Sequence, residues 1–105
     1  MPCSRNDVVL LPVPFSDLSS RKVRPAVVIG REARHGDLFI VPITSQTANI
    51  DTALLEWQSA GLNVACGIKA QLATVSETLV LKAVGRLSKR DQAALDQRLR
   101  SWLSL

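Results

Sequence analysis

Three short Val- and Ile-rich runs fill the first half of the chain, at Val8 to Val13, Ala26 to Ile29 and Leu38 to Ile43, and prolines sit inside or beside them. Runs of this length and composition read as β-strands. Proline has no amide to give to a sheet ladder, so Pro12, Pro14 and Pro42 exclude a flat central sheet. Edges, bends and bulges are what such strands can tolerate, and a small curved barrel supplies all three. The first two runs are separated by Phe15 to Val23, whose Ser, Asp and paired cations indicate an exposed loop. A tight turn is expected at Arg34 to Asp37.

Further strands are expected at Ala53 to Trp57, Ile68 to Val75 and Leu79 to Gly85, with a turn at Gly61 to Asn63. The last segment changes period. Ser88 followed by Asp91 resembles a capping box, and Leu95, Leu99, Trp102 and Leu103 then share one face of a helix. The expected fold is mainly β, a barrel closed by a C-terminal α-helix.

A chain of 105 residues can bury one hydrophobic core and not two, so residues 1–105 are expected to form a single domain. No apolar run approaches membrane-spanning length, and the first residues lack the basic-then-apolar order of a secretory signal, which makes the cytoplasm the expected compartment. Cys3 and Cys66 have no metal-knuckle spacing and read as an incidental thiol and a small core residue. The net charge is +4, and nine of the 13 cations are Arg, whose planar fork matches phosphate oxygens. That balance suits a polyanionic partner without identifying one.

What the sequence lacks narrows the chemistry. His35 is the only histidine and falls in the turn at Arg34 to Asp37, so neither a His-based triad nor a His-rich metal site can form within one chain. There is no glycine-rich phosphate loop of Walker or dinucleotide type. An enzyme built from this chain would work with Arg, Thr, Ser, Gln or isolated carboxylates, without a metal or other cofactor. Transesterification of RNA fits that inventory, because the ribose 2′-hydroxyl is the nucleophile and the protein has to align and neutralise the phosphodiester.

The stretch from Asp7 to Leu18, then Arg24-Pro25-Ala26-Val27-Val28, then Val41-Pro42-Ile43-Thr44-Ser45, resembles the sequence blocks of the MazF/PemK family of toxins. Leu72-Ala73-Thr74-Val75 and Val84-Gly85-Arg86-Leu87-Ser88, leading into the terminal helix, are similar to that family's last strands and helix. The resemblance implies an SH3-like small β-barrel with a C-terminal helix, forming one toxin domain over residues 1–105. It implies a toxin of a type II toxin-antitoxin system that cleaves single-stranded messenger RNA without metal, acts as a homodimer, and is restrained by a cognate antitoxin supplying an acidic tail.

On that resemblance Arg24 and Thr44 are the expected catalytic residues. Physical reasoning supports the placement: a residue before proline is held extended, so Pro25 stiffens the mount of Arg24, and Thr44 lies where a strand leaves the core. Phe15, Arg21, Lys22, Ser45, Gln46, Lys69 and Gln71 are the expected RNA-binding residues. Many relatives carry a carboxylate near the segment that here reads Ile68 to Leu72. None stands in it, which leaves Asp17 and Glu77 as distant candidates and makes Gln71 a reader of base edges. Two alternatives stay open: a gyrase poison of the CcdB type, for which Trp102 near the terminus speaks, and a barrel that binds RNA but has lost activity.

Overall fold

The computed structural model describes residues 3–12 and 22–105. Phe15, Asp17 and Arg21, together with Pro14, lie outside the described residues. Among the described residues seven strands precede one α-helix: β1 (Asp7–Pro12), β2 (Val23–Arg31), β3 (Leu38–Thr44), β4 (Thr52–Ala53), β5 (Gly67–Ile68), β6 (Ala73–Val75), β7 (Lys82–Arg86) and α1 (Lys89–Leu103). Every pairing is antiparallel, in the order β4-β5-β3-β2-β1-β7, with β6 also on β3.

Alternation along the strands sends side chains to two faces, and both faces are covered. Val8, Val27, Val41 and Ile43 join a cluster with Leu54, Ala60, Cys66 and Ile68 and with Leu95 and Leu99 of α1. Val9, Leu11, Ala26, Val28, Leu38 and Ile40 form a second cluster, onto which Ala73, Val75 and Val80 pack. Burial on both faces is why the strands read as continuous apolar runs. The strands β6 and β7 lie on opposite sides of the β3-β2-β1 centre and are joined through a short 3-10 turn at Glu77–Leu79, so the sheet curls into a barrel-like fold. Pro42 is accommodated at a bend rather than at an edge: β3 pairs with β6 through Leu38 to Ile40 and with β5 through Ile43 and Thr44, changing partner around the proline. Register shifts between Val28 and Gly30 and between Val8 and Val9 mark bulges that increase the curl.

Three expected strands come out shorter. At Ala53 to Trp57 only Thr52–Ala53 is strand, because the amides of Leu55 and Glu56 donate to the Asp91 carboxylate at 3.0 and 2.9 Å instead of to a neighbouring strand. Ile68 to Val75 is broken in the middle. There the Gln71 amide donates back to the Lys69 carbonyl at 2.8 Å, and the Asp51 carboxylate takes the Ala70 amide at 2.7 Å. The strand expected from Leu79 begins at Lys82, since Ser76 caps the 3-10 turn and the Val80 amide returns to Glu77.

The helix begins as expected, with the Ser88 hydroxyl accepting the Asp91 amide at 3.2 Å. The Asp91 side chain does not close a capping box. It is 1% exposed and binds the two amides of the segment that crosses α1. Leu95 and Leu99 are buried and Trp102 packs on the same core, whereas Leu103 is 47% exposed and falls off the buried face. After Ala60 the chain lies so close to β7 that a Cβ on Gly61, whose φ is +87°, would stand 2.2 Å from the Val84 carbonyl oxygen. Only glycine fits there, on both counts.

Candidate functional site

Arg24 is the second residue of β2 and faces Leu11 of β1, with Pro25 following it opposite Leu10. Its side chain is exposed. Thr44 closes β3 opposite Gly67, where no side chain could fit: a Cβ on Gly67 would lie 2.4 Å from Ile50 and 2.7 Å from the Thr52 carbonyl oxygen. β2 and β3 pair at Ala26 and Pro42, so two further residues along each strand bring Arg24 and Thr44 to the same end of the sheet.

These residues border a polar groove of about 80 Å³ lined by Arg24, Pro42, Ile43, Thr44, Gln46, Asn49, Lys69 and Gln71. Three separate segments thus converge. The groove is built rather than accidental. The Thr44 hydroxyl accepts the Gln46 amide at 3.1 Å, the Gln46 side-chain carbonyl accepts the Asn49 amide group at 2.9 Å, and the Lys69 amide donates to the Pro42 carbonyl at 3.0 Å. Asp51 holds the far wall: its amide donates to Ile68 at 2.9 Å and its carboxylate accepts from Ala70, which fixes the bend carrying Lys69 and Gln71. The segment from Ile68 to Leu72 has no carboxylate of its own, and the fold brings one to it.

A second cavity of about 280 Å³ adjoins the groove, with Arg24 and Ile43 in the walls of both. Ser45 turns into this cavity instead of the groove. Lys22 is exposed immediately before β2 and lines neither. Glu77 has a different task. Arg31 grips its carboxylate through two bonds of 2.8 and 2.9 Å and the Cys3 amide adds a third at 2.7 Å, which pulls its pKa down to about 2. That carboxylate is a structural clasp between the start of the chain, β2 and the 3-10 turn, and it does not line the groove. His35 is an exposed turn residue whose backbone amide and ring both meet Glu32. Asn49 could have been found within the polar stretch after Thr44; nothing in the sequence pattern singles out Asp51.

Among the described residues, no three His, Cys, Asp or Glu side chains come together in a way that could hold a metal ion. No described helix is long and apolar enough to cross a membrane. Burial pushes the Cys66 thiol up, with the negative charge of Asp91 acting in the same direction, so this residue presents a neutral S–H to the larger cavity.

Residues 4–103 match the model of the family described as PemK-like, MazF-like toxin of type II toxin-antitoxin system. The chain is also similar to the protein named Endoribonuclease MazF9 from Mycobacterium tuberculosis, at 31% identity over 93 residues, covering 78% of this chain and 79% of the relative. Neither match favours the gyrase-poison alternative, and Trp102, which had kept it open, is occupied in packing against the core.

Proposed function

Since the chain belongs to the PemK-like, MazF-like toxin family of type II toxin-antitoxin systems, we propose that the groove at the shared end of β2 and β3 cleaves single-stranded RNA by attack of the substrate's own 2′-hydroxyl. The observation that carries this is the convergence of Arg24, Thr44, Gln46, Lys69 and Gln71 on one small polar groove. At about 80 Å³ the groove is the smaller and more polar of the two adjoining cavities, which suits a phosphate group.

Arg24 places its guanidinium against the non-bridging phosphate oxygens, and Lys69 adds a second cation from the opposite wall. The Thr44 hydroxyl already accepts the Gln46 amide, so its single proton is left to point at a phosphate oxygen. As the 2′-oxygen bonds to phosphorus, the bond to the 5′-oxygen breaks, which leaves a 2′,3′-cyclic phosphate and a 5′-hydroxyl. Gln71, carried on the bend that Asp51 fixes, reads a base edge.

Residues 1–105 act as one toxin domain in the cytoplasm, bound by an antitoxin with an acidic segment and paired as a homodimer. Leu79 and Leu81, 43% and 64% exposed in neighbouring positions, support a second copy covering that edge. Arg, Thr, Lys and Gln are not a donor set for a divalent ion, so purified protein should cut a defined single-stranded RNA equally well with EDTA present. Activity that disappears in EDTA and returns with magnesium would contradict this mechanism.

A further inference from the structure

The larger cavity beside the groove differs from it in chemistry as well as size. Leu10, Pro25, Ile43, Leu62 and Val84 contribute apolar surface, Cys66 contributes a neutral thiol, and Ser45 and Asn63 are the polar side chains apart from Arg24. At about 280 Å³ against about 80 Å³ for the groove, it has room for a nucleobase. Apolar walls with a few convergent polar groups are how proteins hold a flat, mainly apolar ligand in one orientation.

We propose that this cavity receives the base of a nucleotide next to the scissile phosphate, with Asn63 and Ser45 selecting which base is accepted. This rests on the RNA-cleaving function assigned to the groove. Arg24 forms part of both walls, so a phosphate held by its guanidinium has its neighbouring nucleotide at the mouth of the cavity. Single-stranded RNA can splay a base out of its stack and offer its hydrogen-bonding edge. The base faces lie between aliphatic side chains, and the Asn63 amide presents a donor and an acceptor in one plane to the edge. Gly61 makes the site possible, because its close approach to β7 fixes the segment Leu62-Asn63-Val64 as a wall.

The test is a cleavage profile on single-stranded RNAs carrying each of the four bases on either side of the cut, with thermal melts to confirm folding. Wild-type protein prefers one base at one of these two positions. Asn63→Ala, at an exposed residue, reduces that preference roughly five- to a hundred-and-fiftyfold, the range expected when a bidentate base contact is lost. Val64→Trp, which fills the mouth from a 57% exposed rim position, flattens the same preference. If wild-type cleaves and Asn63→Ala and Val64→Trp keep its base preference, or wild-type has none, the base site is wrong and the groove's function stands. If wild-type cleaves no RNA in the set, the function assigned to the groove falls and the base site with it.

Discussion

Arg24→Ala is expected to slow RNA cleavage by roughly a hundred- to a thousandfold, corresponding to about 2.7–4 kcal/mol of lost transition-state stabilisation, the usual cost of removing one preorganised donor. The side chain is exposed and at the end of the sheet, so the thermal melting curve should not move. Arg24→Lys should recover only part of the rate, because an ammonium keeps the charge but not the planar fork that meets two phosphate oxygens at once. Single-turnover kinetics with saturating protein separate this from weakened binding. Normal cleavage by the Ala variant would remove Arg24 from the mechanism.

Asp91→Ala is expected to cost about 3–6 kcal/mol of folding stability, which is severe against the roughly 5–15 kcal/mol that holds a typical domain together. Its carboxylate is buried and satisfies the amides of Leu55 and Glu56, and a hydrogen bond to a charged group is worth about 1.5–3 kcal/mol. Both amides belong to the segment that Asp91 holds against α1. That segment continues into Gly61, Leu62 and Asn63, so what the Asp91 variant loosens includes the wall beside the groove. Asp91→Asn retains one acceptor oxygen and should lie between the two. Urea denaturation of the three proteins measures the series, and equal midpoints would show that the clamp contributes nothing.

The parts of this molecule that were legible in the sequence are those governed by local rules. The Val- and Ile-rich runs became β1, β2 and β3, and the switch to helical period after Ser88 became α1, because burial pattern and capping are written in neighbouring residues. Pro42 foretold a bend correctly but not its place in the interior, which depends on β5 and β6 sharing β3. The strands expected at Ala53 to Trp57 and Ile68 to Val75 were cut short by carboxylates from elsewhere in the chain, Asp91 and Asp51, and no periodicity within those segments could reveal such partners. For the site, the family resemblance brought forward Arg24 and Thr44, Gln46 followed from its place beside Thr44, and Lys69 and Gln71 from the segment where the chain departs from its relatives; all five line one groove. Asn63 and the cavity beside it were invisible because their walls come from β1, β2, β7 and the turn after Ala60, segments far apart in sequence.

The central claim, that the groove makes the substrate attack itself, is tested most directly by a single deoxynucleotide. A single-stranded RNA that the protein cuts at one bond is synthesised again with the 2′-hydroxyl missing only on the nucleotide 5′ to that bond, and binding and cleavage are measured on both. Retained binding with no cut at the substituted bond, together with a 2′,3′-cyclic phosphate on the product of the unmodified RNA, is the predicted result. Continued cleavage at the deoxy position would contradict it, since the nucleophile would then have to come from the protein or from water.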